Sequence, residues 1–169
     1  MSALARNWQP LLVLALVVLA VPFLPPVAGL DGSAGTAVIT GLLIAGAAAA
    51  LYRGREGAVA LVLLVAAHGA AWLLISALEG RSGQATVSFW LLLAAAWLLA
   101  WRLVTALSAM KPRGRAGDLA LRLFIPFLFG AWILILWEAI VRGAGIPFVL
   151  LPPPSAIAAR FANSLPILA

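Results

Sequence analysis

Charged residues divide this chain into long apolar runs; they do not alternate with apolar positions. Residues 11–30 carry no charge, nor do 32–52, 57–78 and 82–101, and the apolar pattern continues beyond Arg102 to Met110. A fifth run, 119–141, holds Arg122 and Glu138 near its ends and is charge-free over 123–137. A bilayer's hydrocarbon core is about 30 Å thick, and a helix needs about 20 apolar residues to cross it. Each of the first four runs meets that length. The charge-free middle of the fifth covers roughly 22 Å at the helical rise per residue. It crosses only if its two end charges reach toward the headgroups. The pattern predicts an all-α, polytopic membrane protein of about five transmembrane helices.

Composition supports this solvent. Only 9% of the residues are charged, against about 25% in a soluble domain, too few to cover a water-facing surface. There is no cysteine, so disulfides and thiolate metal sites are excluded. The one histidine, His68, cannot build a zinc site alone. A net charge of +6 raises the question of nucleic acid. The basic residues, however, sit in short segments between apolar runs, where they set topology, and no nucleic-acid partner is implied.

With the N-terminus inside, Arg6, Arg53, Arg55, Arg102, Lys111, Arg113, Arg115 and Arg122 fall on the cytoplasmic side, and Arg81, Arg142 and Arg160 fall outside. The excess of positive charge inside predicts a multi-pass protein of the cell (inner or plasma) membrane, N-terminus in, with the C-terminal segment on the outer face. In the first run, Pro22, Pro25 and Pro26 interrupt the outer half. Arg6 ahead of it and small residues after it also fit a cleaved signal sequence. The length of the apolar stretch, and the lack of a clean A-x-A site behind it, favour an uncleaved first helix.

Individual residues divide between packing and chemistry. Gly41, Ala45 and Ala49 recur at four-residue spacing, as do Gly46 and Ala50. Such rows let helix backbones approach closely in lipid, or they simply mark an alanine-rich helix. His68 lies mid-span, where an ionisable side chain is a functional candidate. A neutral imidazole bonded to a neighbouring helix is the structural alternative, and the favoured one. Among the tryptophans, Trp8, Trp72, Trp90, Trp101 and Trp137 suit interfacial anchoring, whereas Trp97 and Trp132 lie deeper. Glu138 and Arg142, four apart with the acid first, favour a helical ion pair. No H-E-x-x-H, G-x-S-x-G or G-x-x-x-x-G-K-[ST] pattern is present. The sequence thus nominates no catalytic residue, cofactor-binding residue or metal ligand, and the chain does not read as an enzyme.

The C-terminal stretch G-I-P-F-V-L-L-P-P-P-S-A-I-A-A-R-F, residues 145–161, is nearly uncharged yet contains Pro147 and the run Pro152, Pro153 and Pro154. Proline removes a backbone donor and clashes with the preceding helical turn. Residues 143–154 are therefore expected to form an extended, stiff link and not a sixth span. Ser155 is then expected to cap a new helix. Ile157, Phe161 and Leu165 fall on one face of it, and Arg160, Asn163 and Ser164 on another, with Pro166 interrupting it. That is a short amphipathic helix suited to a membrane interface.

The stretch W-E-A-I-V-R-G-A-G-I-P-F-V-L-L-P-P-P-S-A-I-A-A-R-F, residues 137–161, resembles the start of the permease subunits of ABC importers of the nitrate, sulfonate and taurine type. Trp137, Leu151, Pro152, Pro154, Ser155 and Phe161 carry the likeness, which covers residues 119–169. It implies a permease acting as two copies with a cytoplasmic ABC ATPase and an extracytoplasmic solute-binding protein. It also implies ATP-driven alternating access for small anions such as sulfonates or nitrate. Permeases of this kind continue with further helices and an E-A-A-x-x-x-G coupling loop, which this sequence does not contain. The expected organisation is a four-span N-terminal extension over 1–110, a basic cytoplasmic linker over 111–118 and the start of a permease domain over 119–169. On that expectation the chain is the first part of a longer permease or a truncated product. Two other readings stay open: a small polytopic scaffold or assembly protein, and a small channel or carrier that uses His68.

Overall fold

The structure is a computed structural model and describes residues 3–29, 33–52, 55–112 and 114–168. Arg53, Arg113 and the side chains of Arg6 and Leu165 lie outside the described residues. Every regular element described is a helix: α1 Ala3–Ala20, a single 3₁₀ turn Val21–Phe23, α2 Ser33–Leu51, α3 Glu56–Ala77, α4 Val87–Ala109, α5 Arg115–Gly143 and α6 Pro154–Leu168. Four of them, α2 to α5, are long and apolar enough to cross a membrane. Helix α1 and the 3₁₀ turn after it share a shorter apolar stretch, Trp8–Phe23.

Helices α1 to α4 form an up-and-down bundle. In α2 and α3, Gly46 faces Ala66 and Gly69 faces Leu42, so the two run antiparallel. Helices α1 and α4 also run antiparallel: Trp8 packs edge-on against Trp101 at 5.9 Å, while Phe23 at the other end meets Ser88. The seam is built from alternating large and small residues. Leu63, Ala66, Ala67, Ala70, Ala71 and Leu74 of α3 are buried, as are Leu92, Ala95, Ala96 and Leu99 of α4, and the two helices pack together. Small residues at three- and four-residue spacing bring the backbones close, which is how apolar helices gain dispersion contact where no hydrophobic effect operates.

Helix α5 lies against α4, touches α3, and is much less enclosed. Only 11% of its apolar window is buried, against 56% for α4. Its 29 residues reach roughly 43 Å, longer than the hydrocarbon core of a bilayer. Helix α5 begins at Arg115, four residues before the expected domain start at Leu119. Gly114, at φ 94°, turns the chain into it. Asp118 sits in the first turn, where the helix dipole favours an acid, and pairs with Arg122 at 2.9 Å. The last residues of the basic linker are therefore helical.

Three connections meet at one end of the bundle. An isolated bridge joins Val27 to Ala85. Ala28 N–H donates to Gln84 O at 2.9 Å and Thr86 N–H to Pro26 O at 3.0 Å. The Thr86 hydroxyl points at the carbonyls of Pro25 and Pro26, at 2.9 and 3.0 Å. The prolines end α1 early, and their freed carbonyls find donors in the α3–α4 connection. The same connection delays α4, which starts at Val87 and not at residue 82, because Ser82 to Thr86 are spent on these contacts.

Candidate functional site

Helix α5 ends in a Schellman motif. Gly145 takes φ 66°, its N–H donates to Arg142 O at 3.3 Å, and Ile146 N–H donates to Val141 O at 2.9 Å. This satisfies carbonyls that a helix end leaves free. Arg142 O also receives Gly83 N–H at 2.8 Å and the Ser82 hydroxyl at 3.2 Å. A Cβ on Gly145 would stand 2.8 Å from Gly83 Cα, so the α3–α4 turn and the α5 terminus touch backbone to backbone.

Beyond this stop the chain does not run extended throughout, as its prolines led one to expect. Pro147 fixes φ at the start of a turn, and its carbonyl accepts from Leu150 and Leu151 at 2.9 and 3.2 Å. Helix α6 then begins at Pro154, so Ser155 is not its N-cap. Proline fits the first helical position, where no N–H is needed. Pro153 O accepts from Ala156 and Ile157 at 3.0 and 3.2 Å. The remaining free N–H, that of Ser155, donates to Glu138 Oε2 at 2.9 Å. The capping oxygen thus comes from α5, and it is a carboxylate at a helix N-terminus, where the dipole favours it. Helix α6 also continues past Pro166 to Leu168; a proline so near the end removes few helical bonds.

Glu138, Arg142 and Ser155 form a closed polar triangle. The Ser155 hydroxyl donates to Glu138 Oε1 at 2.6 Å and accepts from Arg142 Nη2 at 3.0 Å. Arg142 Nε donates to the same Oε1. Glu138 is only 7% exposed, and each of these contacts donates to it or to its partner. The expected Glu138–Arg142 pair is present, and Ser155 is the member that sequence spacing did not reveal. Arg160 of α6 lies over the Phe148 ring at 5.2 Å, a second tie between helix and link. Ile157 and Phe161 remain exposed, leaving the apolar face of α6 uncovered by the bundle.

The second polar feature lies mid-bundle. His68 Nε2 accepts the Trp132 indole N–H at 3.1 Å, and Nδ1 lies 2.9 Å from Leu64 O. With Nε2 accepting, Nδ1 carries the proton and donates back along α3. Both ring nitrogens are used: Nε2 joins α3 to α5 and Nδ1 is held within α3, which is the structural alternative for this residue. Trp132 is buried, while Trp8, Trp72, Trp90, Trp97 and Trp101 keep large exposed surfaces. Of the two small-residue rows, Gly46 and Ala50 are buried in the bundle, whereas Gly41 and Ala45 face outward. Among the described residues, no group of three or more His, Cys, Asp or Glu gathers. No family model, no curated protein and no solved structure matches this chain. The class that follows is an all-α protein in which, among the described residues, four helices are long and apolar enough to cross a membrane.

Proposed function

We propose that residues 119–169 open a permease domain of an ABC importer of the nitrate, sulfonate and taurine type, and that 1–110 are an additional membrane region ahead of it. The observation that carries this reading is the stretch from Trp137 to Phe161. In it a spanning helix, a proline link and an amphipathic helix follow in the order such permeases use. The Glu138–Ser155 contact gives that order a physical purpose, since it seats the amphipathic helix on the end of the span. The sparse enclosure of α5 relative to α2–α4 suits a helix whose main partners belong to a permease domain rather than to the four-helix bundle.

Five crossings fit this reading. Helix α1 lies antiparallel to α4 from Trp101 to Ser88, which supports a fifth crossing beside it. The connections holding Arg81 and Arg142 then face outward, and the end bearing Arg55, Lys111 and Arg115 faces the cytoplasm. The chain has no cysteine, so single cysteines report sidedness cleanly. A Gln84→Cys variant in intact cells should react with a membrane-impermeant maleimide, and a Lys111→Cys variant should not.

The functional test isolates the natively expressed product in mild detergent through an affinity handle ahead of Met1. A cytoplasmic ABC ATPase should co-isolate, and import of a sulfonate or nitrate should fail when the gene is disrupted. Isolation without an ATPase, together with undisturbed import of these anions, would leave the scaffold reading in place.

A further inference from the structure

The basic end of the bundle contains a crevice of about 370 Å³ between the α2–α3 connection and the last turns of α4, lined by Tyr52, Glu56, Val59, Arg102, Thr105 and Ala109. Arg102 lies seven residues inside the end of α4, roughly 10 Å deep at the helical rise. Its Nε is buried and meets no acceptor among the described residues. The ion pairs among those residues are Asp118–Arg122 and Glu138–Arg142, so Glu56 does not serve Arg102. Glu56 occupies the first turn of α3, where the dipole already favours its charge. The Thr105 hydroxyl donates to Trp101 O at 3.0 Å and offers no further proton. Arg102 and Tyr52 thus line the crevice beside the apolar side chains of Val59, Ala106 and Ala109, and Arg102 takes part in no ion pair among the described residues. Arg55, Lys111 and Arg115 stand exposed at the same end of the bundle.

We propose that this crevice binds the phosphate of an anionic phospholipid headgroup, held by Arg102 and flanked by Tyr52, with an acyl chain along the outer wall of α4. A guanidinium about 10 Å inside the helix end, with its Nε buried and unbonded, is costly. A lipid phosphate supplies the missing charged acceptor in the fork geometry that arginine prefers. Basic pockets between helices at a cytoplasmic membrane face take such headgroups. A lipid is the favoured source of the phosphate because Val59, Ala106 and Ala109 add apolar wall beside Arg102, which a free ion does not need. The site rests on the membrane assignment and is independent of whether the chain transports anything.

The test places the full chain in nanodiscs of phosphatidylcholine containing a minor fraction of phosphatidylglycerol. Native mass spectrometry then counts the lipids that stay bound on release. The wild-type chain should retain phosphatidylglycerol in preference to phosphatidylcholine. Arg102→Gln should lower that preference about fivefold, the effect of one basic residue at the surface, and Arg102→Lys should restore part of it. Glu56→Gln should raise it, by removing a like charge from the headgroup. The paired change Lys111→Gln with Arg115→Gln should leave the tightly held lipid in place. Unchanged retention in Arg102→Gln, or loss only in the linker variant, overturns the site. Displacement of the lipid by excess inorganic phosphate overturns the choice of lipid as ligand. If Arg102→Gln loses its helical signal, Glu56→Gln decides: no rise in preference defeats the proposal.

Discussion

Replacing Glu138 by Gln removes a charge and changes little in shape, so it isolates what the carboxylate does for α6. All three contacts at this side chain are donations to it: Ser155 N–H at 2.9 Å, the Ser155 hydroxyl at 2.6 Å and Arg142 Nε. A glutamine has one accepting oxygen, and its NH₂ can only donate. In either orientation an N–H faces a donor, and at least one charge-assisted bond is lost. Such a bond contributes about 1.5–3 kcal/mol, and the lower half of that range applies because the Arg142 side chain is 26% exposed. Helix α6 has little else to hold it, since Ile157 and Phe161 are exposed. With about 1.4 kcal/mol per factor of ten, opening of its first turn should become about ten- to fortyfold more frequent. Hydrogen–deuterium exchange of the chain in nanodiscs reads this directly. Amides of residues 155–157 should exchange faster by that factor, while those of Trp132 to Leu136 in α5 keep their rate. Ser155→Ala, which loses the hydroxyl but keeps the backbone donor, should fall between. If exchange at 155–157 is unchanged in Glu138→Gln, the proline link alone positions α6, and the carboxylate cap is not what seats it.

Three further outcomes follow from the packing. A Cβ at Gly46 would stand 2.6 Å from Leu99 Cδ1 and 2.8 Å from Ala66 Cβ, whereas one at Gly41 meets nothing within 4 Å. Gly46→Ala should therefore lower stability in detergent by about 1–3 kcal/mol, while Gly41→Ala should be neutral or stabilising by up to ~1 kcal/mol, both measured as thermal midpoints. Gly145→Ala combines a left-handed backbone with a 2.8 Å approach to Gly83 Cα. It should lose at least ~1–3 kcal/mol and speed exchange in the α3–α4 turn as well as at the end of α5. His68→Ala leaves the Trp132 indole N–H without its acceptor and should lower the midpoint at a cost of about 1–3 kcal/mol; an unchanged midpoint would mean that the bond does not join α3 to α5.

What could be read from the sequence depended on how far apart the interacting groups lie along the chain. The four long helices are visible because membrane depth and charge spacing are local quantities, and α2 and α3 fall within a residue or so of the apolar runs. The Glu138–Arg142 pair is visible for the same reason, since four residues on a helix make neighbours, and Asp118 with Arg122 obeys the same rule. The starts of α4 and α6 were misplaced for the opposite reason. Ser82 to Thr86 look like part of an apolar run until the carbonyls freed by Pro25 and Pro26 are known to need their donors. Ser155 looks like a cap because serine commonly is one. Yet Pro154 directly before it already marks the first helical position, and that places the serine two positions too late. A helix that begins on proline with no polar residue ahead of it must obtain its cap from elsewhere. In an apolar protein with five acidic residues, the search for that cap is short. Glu56 opens α3, Asp118 pairs with Arg122 in the first turns of α5, Glu79 follows α3 and Asp31 precedes α2. Glu138, at the end of the helix that leads into the link, is the acid the chain can return to, and the polar triangle at the α5–α6 junction follows from that shortage of alternatives.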